Sequence, residues 1–241
     1  MRKAAERAIF IIKAASGGAY GGKKMKVLLL NGSPRKEWNT AQLLHEAERG
    51  AREAGAETER FDLYNLDYKD CRSCFACKRI GNTTGGVCAV RDGLRPVLES
   101  AAAADAIIIG SPIYYGNVTA PVIAFINRLL FADMHYDLEE DGRPVTVLPK
   151  TKKTALILTM NIPEEGMLKI YKPQFDGMAA MLGRILGSGE VLYSCDTWQF
   201  DDYSKYYAGR FDVQAKARRR EEQFPVDKQN AYELGKRMAV R

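Results

Sequence analysis

Three short runs, MKVLLLN (25–31), ADAIIIG (104–110) and TALILTM (154–160), are apolar almost without interruption, and they limit this chain more than any other feature. A strand that does not alternate polar and apolar residues is buried on both faces, which requires a parallel sheet covered by helices on each side. The first two runs stop at Gly-Ser-Pro and Gly-Ser-Pro again (32–34 and 110–112). Between and after the runs, apolar residues recur at helical spacing. They are Leu43, Ala47, Gly50 and Ala54; Val122, Phe125, Ile126, Leu129 and Leu130; and Phe175, Met178, Met181, Leu182, Ile185 and Leu186. Residues 94–103 also read as a helix. Thr119 is placed to cap the helix after the second run, with Pro121 in its first turn. Ala56–Leu63 alternates weakly, as an edge strand does, and Glu190–Tyr193 is a short last strand. A polar, tyrosine-rich segment follows, then a helix starting near Pro225. Strand and helix alternate five times, so the expectation is α/β: a doubly wound, five-stranded parallel sheet of order 2-1-3-4-5. It occupies residues 25–241 as one domain with a C-terminal helical extension.

Charge narrows the partners. Residues 1–24 hold six of the 36 basic residues and one of the 30 acidic ones, leaving 30 against 29 in the rest. The basic excess lies in one tail, so no nucleic-acid-binding face is expected. No apolar run reaches the roughly 18–20 residues of a bilayer span, and no membrane association is expected. Residues 1–24 imitate a signal peptide, but Lys13 cuts the apolar core to Ala8–Ile12. They read as a flexible extension or an over-extended start. Five cysteines, with Cys71, Cys74 and Cys77 within seven residues, suit metal or redox work better than a secreted disulfide framework, and point to the cytoplasm.

The topology places a ligand before any motif is considered. In such sheets ligands bind beyond the carboxyl ends of the strands where the strand order reverses, here between the first and third strands. Loop 32–40, GSPRKEWNT, offers Ser33, Arg35, Asn39 and Thr40 at a helix N-terminus, where free N–H groups attract a phosphate. The same Asn39 and Thr40 would equally serve as helix caps. Loop 111–117, SPIYYGN, sets Pro112, Ile113, Tyr114, Tyr115 and Gly116 where a planar ring can rest. Together the loops suit a mononucleotide with a large aromatic head, and FMN fits. Two rivals fail. GGAYGGK (17–23) has Lys24 in the Ser/Thr position of a phosphate loop and leads into a strand, and no GxGxxG follows any strand. His45, in a helix, and His135, in a polar loop, are the only histidines, and no catalytic residue is assigned.

These segments carry a resemblance. GSPRK–NT after the first strand, CRSCFACKRIGNTTGGVC after the second and GSPIYYGNVTAP after the third resemble the NADPH-dependent FMN reductase and iron–sulfur flavoprotein families. So do YSCDTWQFDDYSKY and KARRREEQFPVD near the C-terminus. The resemblance implies a flavodoxin-like fold and bound FMN reduced by NAD(P)H. It also implies homodimers or homotetramers with flavin sites near subunit interfaces. By position, Ser33, Arg35, Asn39 and Thr40 match phosphate-loop residues, and Pro112–Gly116 match the segment beside the ring. Trp38 stands where the family commonly has Gly, a bulk able to reshape the loop or cover the site. The implied activity is an FMN-dependent oxidoreductase passing reducing equivalents from NAD(P)H to a small-molecule or protein acceptor. The alternatives are a flavin electron carrier without NAD(P)H turnover, and a binding module that has lost its cofactor. Cys71, Cys74, Cys77 and Cys88 have partial [4Fe–4S] ligand spacing. Ten residues separate the last two, and the favoured reading is thiols in a loop bordering the flavin, with Cys195 a small packed residue.

Overall fold

The computed structural model describes residues 23–240. The extension expected over residues 1–24 lies outside them, apart from Lys23 and Lys24. The chain runs β1 (Lys26–Asn31), α1 (Asn39–Glu53), β2 (Glu57–Asp62), α2 (Arg95–Ala103), β3 (Ala106–Pro112), α3 (Ala120–Asp133), then a hairpin of β4 (Met134–Leu138) and β5 (Pro144–Thr146). After β6 (Lys152–Thr159), α4 (Glu164–Gly166) passes through a π-helical turn, Met167–Tyr171, into α5 (Lys172–Leu186). The chain closes with β7 (Gly187–Ser194), α6 (Val213–Glu222) and α7 (Phe224–Met238).

The main sheet has the order β2-β1-β3-β6-β7 with every pairing parallel, which is the doubly wound flavodoxin-like arrangement. The period of two along each strand sends alternate residues to opposite faces. Leu28, Leu30, Ile107, Ile109, Leu156 and Leu158 pack with α2, α3 and α5, where Leu98, Phe125 and Phe175 are buried. Val27, Leu29, Ile108 and Ile157 pack with α1 and α7 through Leu43, Leu44, Ala231 and Leu234. On that second face two helix backbones nearly touch. A Cβ on Gly235 would lie 1.8 Å from the Ala47 carbonyl oxygen, and one on Gly50 would lie 2.0 Å from that of Tyr232.

Two elements depart from the sequence expectation. The polar stretch before Pro225 contains a full helix, α6, started by the Asp212 carboxylate accepting the Ala215 N–H at 2.9 Å. Its only fully buried side chain is a lysine, so no apolar stripe announces it. His135 lies in β4 rather than in a loop; this hairpin forms its own two-stranded sheet, detached from the main one. His45 is an exposed residue of α1.

Candidate functional site

β1 ends at a buried asparagine whose side chain organises the loop beyond it. Asn31 Nδ2 donates to Asp62 Oδ1 at 2.8 Å, and its Oδ1 accepts the Ser33 N–H at 3.1 Å. Ser33 Oγ then accepts the Arg35 N–H at 3.1 Å. The Gly32 N–H donates to Gly110 O at 2.7 Å, stitching the loop after β1 to the end of β3. Thr119 occupies the N-cap position of α3 but makes no capping bond. Its Oγ1 donates instead to Gly32 O at 2.8 Å, so this residue joins the two loops. On the other side of β3 the Ile113 N–H donates to Thr159 O at 2.9 Å.

These bonds close a cavity of about 140 Å³ over the carboxyl ends of β1, β3 and β6. Seven of the nine residues singled out from the sequence line it: Ser33, Arg35, Asn39, Thr40, Pro112, Ile113 and Tyr114. Tyr115 and Gly116 do not. They form the tip of a turn closed by two Tyr114–Asn117 backbone bonds, both with left-handed backbone (φ 48° and 81°), and Tyr115 is fully exposed. Asn39 and Thr40 are not caps. Trp38 holds the N-cap position, and both side chains sit in the first turn of α1 with other partners. Thr40 Oγ1 and Thr159 Oγ1 share a 2.7 Å hydrogen bond, while Asn39 Nδ2 donates to Trp198 O at 2.8 Å. The indole of Trp38 does not fill the cavity. It lines one side, with the Arg35 guanidinium carbon 3.2 Å from its ring centroid.

The other half of the wall comes from the ends of the last two strands. Thr159 ends β6 and Met160 and Asn161 follow it, on the edge where the topology places a ligand, while Thr197 and Gln199 after β7 are the part that sequence reasoning missed. Behind them α6 contributes two cations. Lys216, 3% exposed, donates to Asn161 Oδ1 and to Asp196 Oδ1, the latter at 2.5 Å. Arg220 Nη1 donates to Asn39 Oδ1 at 2.8 Å. The only advance signal was the basic KARRR run, which composition alone reads as a solvated face. Burial pulls the guanidinium pKa of both Arg35 and Arg220 below the ordinary value, although for Arg35 Tyr114, Asp201 and Tyr206 act in the opposite direction. Both stay protonated. Partly desolvated cations beside a helix N-terminus gain most from an anion placed among them. The donor set therefore fits the phosphate end of a mononucleotide, with the Pro112–Tyr114 wall beside it.

The cysteine loop goes elsewhere. It runs along α3, tied by Tyr68 Oη donating to Pro121 O at 2.9 Å and by Asn127 Nδ2 donating to Asp70. Lys78 donates to Phe131 O and Met134 O at the end of that helix. Cys71, Cys74, Cys77 and Cys88 line one small cavity with Arg128 and Phe131. Phe131 is eleven residues beyond Ala120, roughly 16 Å along the helix axis from the 111–117 loop. The four thiols thus line a cavity beside the second half of α3, and none of them is among the residues lining the cavity at the strand ends. Arg128 is 1% exposed and paired with Asp92 at 2.6 Å, while its Nε has no partner. All five cysteines are free, and Cys195 is buried as a small packed residue. Among the described residues no three His, Cys, Asp or Glu side chains converge to hold a metal ion.

Residues 25–157, more than half of the chain, match the sequence model of the family described as NADPH-dependent FMN reductase. An iron–sulfur flavoprotein of Archaeoglobus fulgidus is 40% identical over 110 residues, which are 46% of this chain and 51% of that protein. The chain spans about half the length of the curated relatives it matches. Among solved structures, an azoreductase of Bacillus anthracis str. Sterne superposes with a TM-score of 0.62 at 15% identity, covering 88% of this chain and 99% of that one. An FMN-dependent NADH-azoreductase of Bacillus anthracis str. Ames Ancestor, in complex with FMN, gives 0.59 at 12% identity over 90% and 100%. At these identities the likeness is one of fold.

Proposed function

This chain belongs to the NADPH-dependent FMN reductase family, and from that premise we propose that it is an FMN-dependent oxidoreductase passing reducing equivalents from NAD(P)H to a small-molecule or protein acceptor. The observation that carries this reading is the cavity at the reversal of strand order, where the loop feeding α1 faces the loop after β3. Bound at this cavity, FMN would supply the redox chemistry of hydride and electron transfer. The chain's own residues bind and orient. Ser33, Arg35, Asn39 and Thr40, with the free N–H groups of the first turn of α1, hold the phosphate. Pro112, Ile113 and Tyr114 flank the ring, and Tyr115 and Gly116 present the turn beside it. A same-fold azoreductase in complex with FMN supports this choice of cofactor. The exposed Tyr115 suits a contact with a second subunit, in keeping with a homodimer or homotetramer. No helix among the described residues is long and apolar enough to cross a membrane, and the free cysteines support a cytoplasmic setting.

The test is a visible spectrum and an FMN titration, followed by anaerobic addition of NADPH and NADH. The expected result is stoichiometric uptake of FMN and bleaching of its absorbance by at least one of the two. No uptake of FMN overturns the reading. FMN uptake without bleaching favours the second reading, an electron carrier without NAD(P)H turnover. That reading draws support from the four thiols around one cavity and from the curated relatives named iron–sulfur flavoproteins. Iron analysis of anaerobically purified protein tests it directly.

A further inference from the structure

The segment after β7 forms a side of the cavity between the first turn of α1 and the end of β6, and is tied down on both of its edges. Trp198 O accepts from Asn39 Nδ2 at 2.8 Å and Gln199 O accepts from Arg35 Nη1 at 2.6 Å. Asn161 Nδ2 donates to Gln199 Oε1 at 2.6 Å from the opposite side. Thr197 N and Oγ1 both donate to Met160 O, at 3.0 and 3.2 Å. The segment is propped from behind. The Gln199 N–H donates to Tyr203 Oη at 3.0 Å, and Trp198 meets the Tyr203 ring edge-on at 4.6 Å between centroids. Tyr203 is buried, with Phe200 and Phe211 against it.

We propose that Thr197–Gln199 is a clasp that retains FMN as a prosthetic group, so that this protein reduces an acceptor and does not release reduced flavin as its product. The inference rests on the FMN reading above. Arg35 and Asn39 face the phosphate position and hold the clasp carbonyls with the same side chains. A ligand leaving past the clasp breaks the bonds that those residues make to it. Closure and phosphate binding thereby reinforce each other, and the effect falls on dissociation more than on association. Trp198 and Tyr203 are positioning residues: Trp198 lies outside the lining of the FMN cavity, and both act by holding the segment in place.

The experiment follows free-FMN fluorescence after dilution of FMN-loaded protein. It compares the natural chain with Trp198→Ala, and with Tyr203→Phe, which removes only the hydroxyl that accepts the Gln199 N–H. Release is expected to be about ten-fold or more faster in Trp198→Ala and intermediate in Tyr203→Phe, with association rates nearly unchanged. Thermal melting reports whether each variant is folded; if Trp198→Ala is not, Tyr203→Phe decides. Equal release rates in the natural chain and the folded variants overturn the clasp while leaving the FMN reading intact. Failure of the natural chain to take up FMN overturns both.

Discussion

Cys74 and Cys195 are the same residue type held in opposite environments. Cys74 is exposed between two left-handed residues, Ser73 (φ 52°) and Phe75 (φ 55°). That bend turns the Ala76 N–H toward its sulfur, and with Arg72 alongside the thiol pKa falls below its ordinary value. Burial pushes Cys195 the other way, to about 11. Limited iodoacetamide treatment near pH 8 is expected to alkylate Cys74 first and to leave Cys195 untouched until the protein unfolds, read by peptide mass spectrometry. The raised thiol also has a consequence for stability. Its folded pKa lies above the ordinary 9.0, so its contribution is complete below pH 9.0 and is lost as the pH rises through about 11. Melting temperature is expected to fall over that window, with a shallower slope in Cys195→Ala. The packed state of Cys195 was legible in the sequence. The chemistry of Cys74 was not, because it depends on a bend that neither Ser nor Phe favours.

At the scale of elements, helices with an apolar stripe were legible and the helix without one was not. Val122, Phe125, Ile126 and Leu129 marked α3, and the structure buries all four. α6 buries one lysine and was read as part of a polar segment. With it went Lys216 and Arg220, and hence the back of the candidate site. The loops at 32–40 and 111–117 were legible because the topology alone brings them together. The wall after β7 was not, since its placement depends on long-range bonds to α6, to the loop after β1 and to the first turn of α1. The pairing of α1 with α7 was equally hidden, being set by missing side chains. Gly235→Ala would put a methyl group 1.8 Å from the Ala47 carbonyl oxygen, forcing the two helices apart. The expected cost is about 1–3 kcal/mol, seen as a lower urea midpoint with an unchanged slope. An alanine at Gly177, which has nothing within 4 Å of its Cβ position, is the control.

At the scale of the whole molecule, the family match ends at residue 157, yet the fold does not. β7 completes the sheet, and α7 covers the face formed by Val27, Leu29, Ile108 and Ile157. A chain ending at residue 212 would expose that face to water. It is expected to aggregate or to lose cooperative unfolding, monitored by solubility and by circular dichroism against urea. The same geometry imposes an order on biosynthesis. The bond from Arg35 to Gln199 spans 164 residues, and that from Arg220 to Asn39 spans 181. A nascent chain that lacks its last fifth has the loops after β1, β3 and β6 but neither Thr197 and Gln199 nor Arg220. The cavity is therefore complete only once α6 has been made and has docked against α1.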